Sequence, residues 1–166
     1  ITGGTASDEP SGEGGGSGGA VLNAGMLTAD TVTMSGNEAV RAGGAIEGSE
    51  GSTTTLEGST LSDNSAGEAP GNGGGLHITG AGDATITDST VTGNTAALEG
   101  GGLWNGSGTM TVIGTEITDN TASGAEADDG GGGLFNNGGT LSVSKTEITG
   151  NSADGEAGSG GGILNL

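Results

Sequence analysis

The sequence predicts an all-β chain folded as a single-stranded parallel β-helix, a right-handed β-solenoid of about five to six coils. Three observations carry this reading. An apolar residue followed by a turn and an asparagine recurs along the whole chain, a glycine pair followed by an aliphatic residue recurs in step with it, and a Thr-rich apolar segment lies between them. A chain that keeps three registers in phase is a repeat architecture, even where its composition points to disorder.

The composition is unusual. The 166 residues include 42 glycines, 21 acidic and only 2 basic residues, with no cysteine and a formal net charge of -19. Interior glycine costs a helix roughly 1 kcal/mol against alanine, so this chain excludes long helices. Arg41 and Lys145 are its only strong cations, too few to neutralise a run of phosphates. Nucleic acid and direct insertion into an anionic membrane are therefore excluded as partners, and cations are the better match. No apolar run approaches the roughly 18 residues of a membrane span. The lack of cysteine removes disulfides and thiolate metal sites. The chain opens on Ile1 and carries no signal peptide, as expected of a mature product or a fragment.

The first element is the asparagine turn. MSGN at 34–37, LSDN at 61–64, VTGN at 91–94, ITDN at 117–120 and ITGN at 148–151 repeat it, with a degenerate ITGG at 1–4. Their leaders Ile1, Met34, Leu61, Val91, Ile117 and Ile148 stand 33, 27, 30, 26 and 31 residues apart. Asn37, Asn64, Asn94, Asn120 and Asn151 are expected to stack as a structural ladder, since asparagine tolerates left-handed geometry and its amide can satisfy turn groups and stacked neighbours.

The second element is GGAV at 18–21, GGAI at 43–46, GGGL at 73–76, 100–103 and 131–134, and GGGI at 160–163. The glycines are expected to supply positive φ or close coil packing. They do not cradle phosphate, because no helix start and no lysine follow them. The third element alternates, with Leu56, Ala84 and Ile86, Met110 and Val112, and Leu141 and Val143 apolar around Thr or Ser. Each unit of roughly 26–33 residues thus reads as three short strands. Such a unit cannot bury its own apolar face, but stacked units about 4.8 Å apart form a continuous core. Residues 1–166 are expected to be one solenoid segment of a longer array, because neither end carries a polar cap. End-to-end stacking of copies into a filament is the other way to cover those edges.

The two motifs together resemble the polymorphic outer-membrane protein repeat, whose units carry GGA followed by Ile, Leu or Val, and an FxxN element. GGAV at 18–21 and GGAI at 43–46 match the first literally, whereas the leading aromatic of the second is replaced here by Met34, Leu61, Val91, Ile117 or Ile148. The resemblance implies a secreted, extracellular cell-surface protein, an adhesin or autotransporter-passenger-like stalk. Its implied partners are other copies or neighbouring repeats and a host or neighbouring-cell surface protein or glycan.

Catalysis is not expected. Parallel β-helices include polysaccharide lyases and hydrolases, but Arg41, Lys145 and His77 fall in three coils at three different positions. The acidic residues Asp8, Glu9, Glu13, Glu38, Glu68, Glu99, Glu126, Asp128, Asp129, Asp154 and Glu156 gather between the asparagine turn and the next glycine run. They predict a solvated, negatively charged edge suited to high salt. A sharper alternative is a Ca²⁺ site at Glu126, Asp128 and Asp129, although neither an EF-hand nor a GGxGxDx nonapeptide is present.

Two outward rows are candidate contact surfaces. The residue after each inward aliphatic of the glycine motif is Leu22, Glu47, His77, Trp104, Phe135 and Leu164, which predicts an exposed binding row at His77, Trp104 and Phe135. A covering loop would instead bury it. The second row is Thr28, Thr55, Thr85, Thr111 and Ser142. Regular threonine arrays can order water or ice, but threonine is also simply a good strand residue, and no second row of equal regularity is expected.

Overall fold

A computed structural model describes residues 1–7, 15–67 and 70–166; Asp8, Glu9, Glu13 and Glu68 of the acidic edge lie outside it. The described residues form 22 short strands and no helix, arranged as four parallel sheets that run along the solenoid. Sheet 1 follows the asparagine turn and contains Thr5–Ala6, Glu38–Ala39, Ser65–Ala66, Thr95–Ala96, Thr121–Ala122 and Ser152–Ala153. Sheet 2 follows the glycine motif with Val21–Asn23, Ile46–Gly48, Leu76–Ile78, Leu103–Asn105, Leu134–Asn136 and Ile163–Asn165. Sheet 3 is the Thr-rich segment, Met26–Asp30, Thr53–Glu57, Asp83–Thr87, Thr109–Ile113 and Thr140–Ser144. Sheet 4 leads into the turn with Thr33–Ser35, Thr60–Ser62, Thr90–Thr92, Glu116–Thr118 and Glu147–Thr149.

Every sheet pairs each coil with the next in the register set by the motifs. Leu61 faces Val91, Val91 faces Ile117, Leu76 faces Leu103, and Leu103 faces Leu134. A coil therefore has four strands where the sequence reading has three. The missing one is two residues long, and its apolar member is only alanine. Ala39, Ala66, Ala96 and Ala122 are buried at this narrow corner.

The core follows the same register. Met34, Leu61, Val91 and Ile117 point in from sheet 4, Ile46, Leu76, Leu103 and Leu134 from sheet 2, and Leu56, Ile86 and Val112 from sheet 3. Each such aliphatic contributes roughly 1.5–3 kcal/mol by leaving water. Three of the expected inward residues depart from full burial. Val21 and Ile148 are half-buried and Ile163 is 37% exposed, because each belongs to an outermost strand with a neighbouring coil on one side only.

Both glycine roles are present, divided between the two members of the pair. Gly73 has a φ of 65°, a conformation that side chains rarely adopt. At Gly74 a Cβ would collide with the carbonyl oxygens of Gly101 and Thr95. The second glycine thus lets the chain cross directly against the sheet 1 strand of the following coil.

The turns hold the coils in register through polar columns. Asn94 Nδ2 donates to Asn120 Oδ1 at 2.9 Å and to Leu61 O at 3.0 Å, while its own Oδ1 accepts from Asn64 N at 3.0 Å and Asn64 Nδ2 at 2.8 Å. Asn37, Asn64, Asn120 and Asn151 repeat this column. The left-handed backbone expected at the asparagines falls instead on the residue before each, as at Asp63 (φ 53°), Gly93 (φ 63°) and Asp119 (φ 55°). Asparagine is required for its amide, not for its φ. A second column, not foreseen from the sequence, stands between sheets 3 and 4. There Ser59 N donates to Ser89 Oγ at 3.1 Å, and Ser89 N to Thr115 Oγ1 at 3.4 Å, while Ser59, Ser89, Thr115 and Thr146 each bond the carbonyl two residues earlier.

Candidate functional site

The outward row of sheet 2 brings together the chain's only Trp, only Phe and only His. Parallel pairing sets His77 beside Trp104 and Trp104 beside Phe135. The His77 and Trp104 rings stack with centroids 4.2 Å apart and planes 23° apart; Trp104 and Phe135 follow at 6.0 Å and 8°. Offset stacking of this kind adds to the area the rings bury.

This row is buried, which corrects the expected exposure. His77 and Trp104 are each 7% exposed and Phe135 only 1%. For Trp104 the physical reason lies in the segment just before its own strand, residues 97–102. Trp104 Nε1 donates to Glu99 Oε2 at 2.9 Å, so the indole's polar edge is closed by a side chain of the preceding loop. At the other end of the row, His77 Nδ1 meets Glu47 Oε2 at 2.8 Å, and Thr79 Oγ1 donates to Glu47 Oε1 at 2.6 Å. The row is a second, external core with its polar groups paired internally.

The Glu99 carboxyl is held away from its ordinary ionisation. Burial pushes it above the ordinary carboxylate value; the Trp104 hydrogen bond pulls it down, Asp129 and Asp128 push it up, and His77 pulls it down. Sequence reading missed Glu99 as a partner of Trp104, although it lies only five residues before it.

The Ca²⁺ alternative does not match the geometry. Glu126 and Asp128 are exposed, whereas Asp129 is buried and its Oδ2 accepts from Glu126 N at 2.8 Å. Among the described residues no three His, Asp or Glu side chains come together. The acidic loop closes on itself through a backbone hydrogen bond.

The solvent-facing surfaces of sheets 3 and 4 are hydroxyl-rich. Thr28, Thr55, Thr85, Thr111 and Ser142 align in register on sheet 3. Beside them runs Met26, Thr53, Asp83, Thr109 and Thr140, and sheet 4 carries Ser35, Ser62, Thr92, Thr118 and Thr149. A second unbroken hydroxyl row therefore exists, on the adjoining sheet. Thr118 Oγ1 donates to Thr92 Oγ1 at 3.0 Å within it. Arg41 and Lys145 are exposed, Lys145 in a left-handed turn (φ 53°), and His77 is enclosed, so the three basic groups stay apart.

Stacked parallel coils, inward aliphatic ladders and an asparagine column define a β-helix repeat protein. The family model described as "Right handed beta helix region" matches residues 13–165, and the chain belongs to that family. No curated protein and no solved structure matches the chain significantly. The fold is shared by surface proteins, adhesins and polysaccharide-active enzymes.

Proposed function

We propose that this chain is a non-catalytic structural β-helix of the extracellular cell surface, a stalk segment that holds other parts away from the cell. One observation carries the reading. The groups best suited to chemistry, namely the asparagine column and the Glu47, His77 and Trp104 row, are hydrogen-bonded to one another or to half-buried Glu99 and are largely turned away from solvent. The outer faces of sheets 3 and 4 are rich in hydroxyls and the chain is strongly acidic, which suits a soluble spacer. The GGA-type repeats support placing it among secreted surface proteins like those of the polymorphic outer-membrane repeat.

Sedimentation and small-angle scattering over a concentration series test this. A monodisperse particle near 15.3 kDa without activity on acidic polysaccharides supports a stalk segment. Unsaturated sugar products, lost on substituting Lys145 or His77, would replace the reading with a lyase. Concentration-dependent fibres would replace it with a self-assembling filament, whose partners are other copies of the chain.

A second reading rests on the two hydroxyl rows. If the stalk is itself adhesive, its contact face is sheets 3 and 4, since Trp104 and Phe135 are covered. Its partner is then a hydroxylated surface, a glycan or an ordered water lattice. Binding to immobilised glycans, or thermal hysteresis, that falls on Thr85→Lys would support it; indifference to that substitution would remove it.

A further inference from the structure

We propose that Asn137 is a site of spontaneous covalent modification, converting to aspartate and isoaspartate through a succinimide formed with Gly138. The chain has three Asn-Gly pairs, Asn72-Gly73, Asn105-Gly106 and Asn137-Gly138. Glycine favours the reaction because without a Cβ it lets its nitrogen approach the preceding side chain. The fold then selects among the three.

Asn72 and Asn105 are buried, and so are Gly73 and Gly106. Gly73 N is held by Glu99 O at 2.9 Å and Gly106 N by Ile78 O at 3.0 Å. Asn105 Nδ2 is bonded to Asn136 Oδ1 at 2.6 Å. Around Gly73 and Gly106 even a methyl group would collide with neighbouring backbone. Neither pair has room for a five-membered ring.

Asn137 and Gly138 are both exposed, in the turn between sheets 2 and 3. The Asn137 side chain makes no hydrogen bond among the described residues, and nothing lies within 4 Å of where a Cβ of Gly138 would stand. Gly138 N makes one long bond, 3.2 Å to Leu166 O, at an exposed edge. Of the three turns, this one alone combines an unbonded side-chain amide with open space, and its glycine nitrogen is held by the longest of the three bonds.

The step balances without a cofactor. Water or hydroxide takes the proton from Gly138 N, whose nitrogen bonds to Asn137 Cγ; the side-chain nitrogen leaves as ammonia and the succinimide remains. Water then breaks one of the two ring C–N bonds. Breaking the bond to Cγ gives aspartate, and breaking the bond to the main-chain carbon gives isoaspartate. One water enters, one ammonia leaves, and nothing is oxidised. Either product adds a negative charge, and isoaspartate lengthens the backbone where Asn137 N bonds Asn105 O at 2.8 Å.

The test is prolonged incubation of the folded chain at mildly alkaline pH, followed by peptide mapping by mass spectrometry and enzymatic methylation of isoaspartyl groups. A one-dalton gain is expected in the peptide holding residue 137, at least about tenfold faster than at Asn72 or Asn105. In urea the three pairs are expected to react at similar rates, which separates protection by the fold from local sequence. Asn137→Gln, at an exposed position, is expected to abolish the signal while the circular dichroism stays unchanged. Equal rates at all three pairs in the folded chain, or reaction at Asn137 only after unfolding, would overturn the proposal.

Discussion

Replacing Asn94 with alanine removes four hydrogen bonds from the middle of the asparagine column, two donated by its amide and two accepted by its oxygen. At about 0.5–1.5 kcal/mol each, their loss amounts to roughly 2–6 kcal/mol. The consequences are unequal. Asn64 Nδ2 keeps Met34 O at 3.1 Å, and Asn120 Oδ1 still accepts from residue 94's backbone N. Asn64 N, however, is left as a buried donor without a partner, a penalty of about 1–3 kcal/mol. We expect a destabilisation of about 3–5 kcal/mol, a large fraction of the about 5–15 kcal/mol that holds a typical domain together. Urea unfolding followed by far-ultraviolet circular dichroism and by Trp104 fluorescence measures it; coincidence of the two probes checks that the solenoid unfolds as one unit. Thr95→Ala, on the exposed neighbour, is the control and should change stability by no more than about 0.5 kcal/mol. An Asn94→Ala cost below about 1 kcal/mol would refute the claim that the column holds the coils in register.

Gly74→Ala forces a Cβ into the carbonyls of Gly101 and Thr95 and should cost about 3 kcal/mol or more, whereas Gly25→Ala, with open space around it, should be close to neutral in the same urea series. Glu99→Gln keeps an oxygen for Trp104 Nε1 and removes the half-buried charge. Because the folded carboxyl lies above its unfolded value, stability falls as pH rises from the unfolded value to the folded one, and the loss is complete above the folded value and absent below the unfolded one. The variant should therefore melt higher than the parent at neutral pH, with the gap closing as pH falls through the ordinary carboxylate range; a lower melting temperature at neutral pH would contradict this. With a net charge of -19, salt should raise the melting temperature by screening self-repulsion, most steeply at low ionic strength, and a flat or falling series would count against an electrostatically strained column.

The legible part of the fold was its phase. Met34, Leu61, Val91 and Ile117 recur at one offset from an asparagine, and period alone puts them inside. Sheet 1 was not legible, because Ser65–Ala66 or Thr121–Ala122 has neither the length nor the β-branched content that marks a strand. The order of Glu47, His77, Trp104 and Phe135 could be read from spacing, but their burial could not. It depends on side-chain contacts such as Glu99 with Trp104 and Glu47 with His77, which sequence offsets do not encode. The hydroxyl column of Ser59, Ser89, Thr115 and Thr146 was hidden for a different reason. In a chain where Ser and Thr occupy most outward strand positions, four inward-turned ones have no contrast.

The side-chain amides also give the solenoid a direction. Asn37 donates to Asn64, Asn64 to Asn94, Asn94 to Asn120 and Asn120 to Asn151, always toward the later coil, and Asn105, Asn136 and Asn165 run the same way. Backbone bonds between coils alternate in sense, as Gly44 N to Gly73 O and Ser65 N to Asn37 O illustrate, and so largely cancel. The amide columns do not cancel: their dipoles add along the axis, with N–H leading toward later coils and C=O toward earlier ones. Two such solenoids meeting head to head would set carbonyl against carbonyl. Only head-to-tail contact continues the chain of donors, so any array built on this column is a vector, with one growing sense and two chemically unlike ends.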